Sequence, residues 1–138
     1  MANYVGGDKL VVNVQQVTAA ANLPDKTLAT IGGAVPANGA NTAFGVVNRD
    51  TASGDYASLK IGIVEVIATG TVTAGAYQEV LQAATFTMNV SGTSTASQTG
   101  AGVQDVSSTD YIVGRALTGG SANDTILLNM LDKASKNG

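Results

Sequence analysis

Leu59–Val80 reads LKIGIVEVIATGTVTAGAYQEV, and this stretch decides the fold class. From Ile61 to Thr69, eight of nine residues are apolar or small, many of them β-branched, and only Glu65 interrupts them. Gly70 and Gly75 then break the run. β-branched runs bounded by glycines read as a strand, a tight corner and a second strand. Ile61, Ile63 and Ile67 alternate with Val64, Val66 and Ala68, so both faces of the strand are apolar and both are expected to be covered. A carboxylate inside such a strand needs a partner, an edge or an interface. Arg49, Lys60 and Arg115 are the candidate partners of Glu65, and a subunit interface is the alternative.

Working outward, Lys9–Val17 (KLVVNVQQV) predicts a strand reaching Thr18, and Thr27–Ile31 and Phe44–Asn48 predict two more. Between them, Pro24-Asp25, Gly32-Gly33, Pro36 and Asn38-Gly39 mark corners, because proline fixes φ and glycine or asparagine accepts positive φ. Asn48, Asp50, Ser53, Gly54 and Asp55 have the composition of a connecting loop or hairpin. Ala76–Ala84 fits a strand, with one helical turn as the alternative, and Phe86–Val90 fits a further strand. Ser91–Gly102 carries almost no apolar side chain and is expected to be a long exposed loop or hairpin tip. Tyr111–Leu117, a turn over Thr118–Asp124, and a strand over Thr125–Leu131 complete the chain. The expected organisation is an N-terminal arm (1–8), one β-rich domain (9–131) with an exposed Ser/Thr/Gly-rich loop (91–109), and a flexible tail (132–138).

Laid against each other with one shift, the stretches from Ala43 and from Tyr111 put Gly45, Asp55 and Leu59 on Gly114, Asp124 and Leu128, 69 residues on, which is either a structural repeat or the chance similarity that turn-rich β-sequences generate. Each copy is a glycine, a short β-run, a polar turn, an aspartate and a strand. Regular short strands without long helical periods predict an all-β fold, a compact antiparallel β-sandwich or small β-barrel with long polar loops and little helix.

Composition narrows the functions. The 138 residues suit one domain. Charged residues make up only 12%, about half the roughly 25% usual for a soluble domain, so much of the surface is expected to be in contact with something other than water. The net charge of −3 and the scattered Lys and Arg argue against nucleic acid or an anionic membrane as partner. MANYVGGDKL has no charged leader followed by an apolar core, so no export signal is expected.

Absence of His and Cys removes the commonest general base, the usual nucleophile pairs and zinc sites, and no cofactor is expected. Glu65 and Glu79, 14 residues apart across a predicted corner, are the one candidate pair for glycosidase chemistry, against a structural role for each. Asn48, Asp50 and Asp55 could offer oxygens to calcium, but they lack DxDxDG spacing and are better read as turn formers. No phosphate-binding glycine motif is present, and Gly62, Gly70 and Gly75 read as bulges and corners.

Three blocks carry a family resemblance: MANYV at positions 1–5, FGVVNRDTASGDYASLKIGIVEVIATGTVTAG over Phe44–Gly75, and IVGRALTGGSANDTILLNML over Ile112–Leu131. In this pattern the chain resembles the capsid cement, or decoration, proteins of tailed bacteriophages. The resemblance implies a non-enzymatic β-rich structural protein, commonly a homotrimer, assembled in the host cytoplasm onto the outer surface of the virion. There it clamps neighbouring copies of the major capsid protein. A longer N-terminal half and the Ser91–Gly102 insertion depart from the family pattern. Ala2, Asn3, Tyr4 and Val5, flanked by Gly6-Gly7, are the candidate capsid contacts, and Glu65, Arg49 and Arg115 the candidate interface or ion-pair residues. A surface-displayed carbohydrate- or receptor-binding β-module using the 91–102 segment is the competing expectation.

Overall fold

The computed structural model describes residues 6–107 and 110–132. It is all-β, with eight strands: β1 Leu10–Thr18, β2 Leu28–Ala29, β3 Gly45–Val47, β4 Tyr56–Ile67, β5 Tyr77–Val90, β6 Thr93–Asp105, β7 Gly114–Ala116 and β8 Thr125–Asn129. They form one antiparallel sheet in the order β2-β3-β4-β8-β7-β5-β6, with β1 on the outer side of β4. The sheet nearly closes on itself, since Ala68 at the end of β4 bridges Val103 of β6 and β2 also touches β6. A β-barrel-like body results, the architecture expected when short β-branched strands must hide one face and their edges.

β4 organises the body, as its sequence foretells, but its two faces are unequal. Val64, Val66 and Ala68 are fully buried, whereas Ile61, Ile63 and Ile67 are half-buried. Strict alternation sends even and odd residues to opposite sides, and each side has its own core. Val64, Val66 and Ala68 join Val80, Val103, Ala116, Ile126 and Leu128 in the larger one. Ala57 and Leu59 join Val17, Ala19, Leu23, Ala29 and Val47 in the smaller one.

The two cores are equivalent, because the fold is built from two copies of one unit that share β4. β3 pairs with β4 through Val46 opposite Lys60 and Val47 opposite Leu59. β7 pairs with β8 through Arg115 opposite Asn129 and Ala116 opposite Leu128, the same register 69 residues on. Ahead of these hairpins the offset is 49: Leu28 opposite Val46 becomes Tyr77 opposite Arg115. Likewise Val17 opposite Ala57 becomes Val66 opposite Ile126. The corners repeat as well. Leu23 and Thr51 exchange backbone hydrogen bonds of 2.8 and 2.9 Å, and Val72 and Gly120 exchange two of 2.9 Å. Ala19 N–H donates to the Asp55 carbonyl and Ala68 N–H to that of Asp124, each at 2.8 Å. Positive φ recurs at Lys26 (61°) and Gly75 (88°), where repeat 2 uses the residue that adopts it without strain.

Every member of the smaller core maps onto a buried residue of the second unit: Val66, Ala68, Val72, Gln78, Ala116, Ile126 and Leu128. The Gly and Leu shared by the two copies are a packing pair. A Cβ on Gly45 would lie 3.0 Å from Leu59 Cβ, and one on Gly114 3.1 Å from Leu128 Cγ. The third strand of each unit thus needs glycine where its neighbour inserts leucine.

The units differ by one insertion. Between Gln78 and Gly114 the second unit carries 20 residues more than the first does between Ala29 and Gly45, and this excess builds the long β5–β6 hairpin. Thr93–Asp105 is therefore a strand, not the expected loop; only its turn, at Ser91–Gly92, is a hairpin tip. Its first half, Thr93–Ser97, is exposed and needs no apolar residue, since backbone pairing with β5 and β-branched threonines suffice to hold it. Its second half is buried, and Gly100 and Gly102 pack so closely that a Cβ would meet Phe86 at 2.8 Å and the Ile67 carbonyl at 2.4 Å. The strands expected over Ala76–Ala84 and Phe86–Val90 merge into β5, Tyr77–Val90, a single strand with register shifts on either side of Phe86.

Candidate interaction surfaces

Asp8, the last residue of the expected arm, is anchored to the body at the start of β1. Its carboxylate accepts from Lys60 Nζ at 2.7 Å and from the Glu65 backbone N–H at 2.9 Å. It thereby extends the β1–β4 ladder by a side chain. Burial alone would raise the Asp8 carboxyl, but these two hydrogen bonds and the charges of Lys60 and Lys26 outweigh it and hold the group below the usual carboxylate range. Ala2, Asn3, Tyr4 and Val5 lie outside the described residues.

Glu65 lies on the half-buried outer side of β4, opposite Leu127. Its cation is Lys26, at 3.9 Å, and none of the three expected partners. Lys60 is taken by Asp8. Arg49 donates to the Tyr56 carbonyl at 3.1 Å. Arg115 stacks over the Tyr77 ring, 4.7 Å from its centroid, and meets Asp132 at 3.5 Å. Lys26 escaped notice because it sits in the Pro24-Asp25-Lys26 corner, far from Glu65 in the chain. Where the first unit pairs Leu28 with Val46, both buried, the second pairs Tyr77 with Arg115 at the surface.

Glu79 is not brought to Glu65. It is buried at the base of the long hairpin, where it accepts from the Ser107 N–H and from Gln104 Nε2 at 3.1 Å. Burial pushes its carboxyl up, but Ser107, Gln104 and Asp110 together bring it below the usual range. Nearby, Asp105 accepts from the Thr73 N–H (2.9 Å), the Thr73 hydroxyl (2.6 Å) and Gln78 Nε2 (2.9 Å). Burial is again overcome, and Asp105 is held low. These two carboxylates fasten the hairpin base to Thr73 of the Gly70–Gly75 corner and to Ser107 and Asp110.

Asp50 acts as a tether: Oδ1 accepts from the Asp25 N–H at 2.7 Å and Oδ2 from the Asn89 N–H at 2.9 Å. Asn22 donates to Gln98 at 2.9 Å, so the hairpin is tied along its length to the corners of the first unit. Burial raises the Asp25 carboxyl, with repulsion from Asp50 adding to it and Lys26 opposing. Among the described residues no group of three or more acidic side chains is placed to hold a metal ion.

Among the described residues the largest cluster of exposed apolar side chains is on β1, where Leu10, Val11, Val12 and Val14 are 46, 41, 52 and 55% exposed and the one strand paired to β1 is β4. No protein-family profile, curated protein or solved structure matches the chain.

Proposed function

We propose that the chain is a non-enzymatic structural protein of a tailed-bacteriophage particle, one that binds the outer surface of the capsid and stabilises the shell. Its partners are the major capsid protein and further copies of itself; the resemblance implies three. The observation that carries this reading is the block pattern of the sequence, in which MANYV precedes two Gly, β-run, polar-turn, strand blocks. Those two blocks are the two equivalent hairpins, β3–β4 and β7–β8. A barrel that, among the described residues, exposes Leu10, Val11, Val12 and Val14 on its first strand suits a protein that works by contact. Weak contacts repeated over a shell become strong through avidity.

Electron microscopy of particles assembled with and without the protein tests the proposal. Density on the outer shell, and loss of that density with the protein, is the expected result; protein confined to tails or missing from particles overturns it. Removing residues 1–7 is expected to reduce occupancy on the shell while leaving the thermal transition of the isolated protein in place. Unchanged occupancy would remove Ala2–Val5 from the contact.

A further inference from the structure

A cavity of about 330 Å³ opens where the two units and the long hairpin meet. Its apolar lining is Pro24 of the first corner, Ile67 at the end of β4 and Phe86 of β5. Asp25 and Asp50 bring two carboxylates to it. Thr85, Thr87 and Asn123, all exposed, complete the lining with neutral polar groups. In size and in its mixture of apolar and polar groups it falls at the lower end of small-molecule sites.

The hairpin is irregular at this wall. Ala83 lies opposite Gly100, Phe86 opposite Gln98 and Met88 opposite Thr95, so the ladder changes register on both sides of Phe86. Strict alternation would send Phe86 to the opposite face from its two neighbours. Irregularities of this kind re-aim side chains, and here three consecutive residues, Thr85, Phe86 and Thr87, line one cavity.

The two carboxylates differ in what they have left to offer. Both oxygens of Asp50 are engaged, Oδ1 by the Asp25 N–H at 2.7 Å and Oδ2 by the Asn89 N–H at 2.9 Å. Asp50 therefore fixes the wall and supplies charge. Asp25 is half-buried, and among the described residues no other side chain donates a hydrogen bond to its carboxylate. Of the cations that act on it, Lys26 is paired with Glu65 at 3.9 Å and Lys60 with Asp8 at 2.7 Å. Burial, with repulsion from Asp50 adding to it, outweighs them and raises the Asp25 carboxyl. The cavity is negative and short of a counter-charge.

We infer that this cavity binds a primary alkylammonium, whose head group donates to the Asp25 carboxylate beside Asp50 and whose alkyl stem lies along Pro24, Ile67 and Phe86. An ammonium brings three donors and no acceptor, and its stem is at home on apolar surface. A bare metal ion suits the cavity less, because it needs a shell of oxygen ligands, and the Asp50 oxygens are taken while three of the lining side chains carry none. A lysine side chain of a partner protein and a free aliphatic diamine offer the same chemistry.

Nuclear magnetic resonance titration of the isotope-labelled full chain with n-butylamine at constant ionic strength tests the inference. No capsid is present, so the outcome is independent of shell binding. Saturable shifts centred on Asp25, Asp50, Phe86 and Asn123 are expected, with n-butanol giving none. Asp25→Asn keeps the shape and removes the charge, and it relieves the repulsion from Asp50, so the variant is expected to fold at least as stably as the native chain. It is expected to weaken n-butylamine by about tenfold or more, the loss of one charge-assisted hydrogen bond. N-acetyl-lysine methylamide and putrescine distinguish the two sources, and the tighter binder identifies which one the site takes. Absence of saturable shifts, equal shifts with n-butanol, or an affinity indifferent to Asp25→Asn overturns the inference.

Discussion

Leu59 and Leu128 fill the same place in the two units, so truncating each to alanine measures how the same loss is felt in two settings. Both are fully buried. Leucine-to-alanine changes in cores cost about 2.7–5 kcal/mol, and the spread follows the cavity that stays open, at about 24 cal/mol per Å³. Leu128 is opposed by Val64 on β4 and Ala116 on β7, both fully buried in strands paired on each side. Its walls cannot close in, and Leu128→Ala is expected near the top of the range, about 4–5 kcal/mol. Leu59 is opposed by buried Val47 and, across the other ladder, by exposed Gln15 of β1, a strand that among the described residues pairs with β4 alone. If β1 moves inward by enough to remove roughly 50 Å³ of cavity, about 1.2 kcal/mol is recovered, and Leu59→Ala is expected near 3 kcal/mol. Equilibrium urea unfolding followed by circular dichroism suits a chain without tryptophan. It should be run at low protein concentration so that association does not contribute. Should Leu128→Ala fail to fold, the two Leu→Val variants carry the same comparison at smaller amplitude. An equal cost at the two positions, or a greater one at Leu59, would refute the reasoning that β1 is the yielding wall.

Asp8, Glu79 and Asp105 are held below their ordinary values, so each contributes stability above its unfolded pKa and loses it as pH falls through the lower folded value; urea midpoints are therefore expected to drop steeply below about pH 4. Asp25 has the opposite sign, being raised in the fold, so Asp25→Asn is expected to stabilise the protein at pH 7 and to lose that advantage as pH falls through the raised folded value. Glu79→Ala leaves the Ser107 N–H and the Gln104 amide without their acceptor and is expected to cost about 2–3 kcal/mol, with Glu79→Gln costing less, both read from urea unfolding. Glu65→Gln removes only a long, half-screened contact and is expected to cost under about 1 kcal/mol, against about 1–2 kcal/mol for Asp8→Asn, which weakens two short hydrogen bonds; a larger loss at Glu65 than at Asp8 would reverse the roles assigned to them.

Where burial and periodicity coincide, the elements were legible from residue types alone. β1, β4 and β8 lie where β-branched runs put them, and the Gly, Asp and Leu echo marked the two hairpins. Of the β5–β6 hairpin, the first strand and the turn were legible and the second strand was not. Its outer strand is stabilised by backbone pairing and needs no apolar face, so Ser and Thr there carry no periodic signal. Gly100 and Gly102 looked like loop residues, yet they are glycine because Phe86 and the Ile67 carbonyl press against them. Partner choice was the least legible layer. Lys26 reaches Glu65, and Asp8 takes Lys60, through the stacking of the first corner on β4, which has no counterpart in local sequence.

The repeat also removes the oddity of a glutamate inside an apolar strand. One offset earlier, Glu65 corresponds to Gln16 of β1, an exposed polar residue. Both stand one position before the valine that enters the core, Val17 in one unit and Val66 in the other. The position is polar in each copy because it lies on the outward side of the unit's first strand. In β4 that side is half-covered by the isoleucines around it. β4 is apolar on both faces because it is the fourth strand of one unit, burying Ala57 and Leu59 on one side, and the first strand of the next, burying Val64 and Val66 on the other. Doubled hydrophobicity in a strand therefore marks a shared element between two cores. β1, with only one core to serve, buries Val17 and leaves Leu10, Val11, Val12 and Val14 exposed among the described residues.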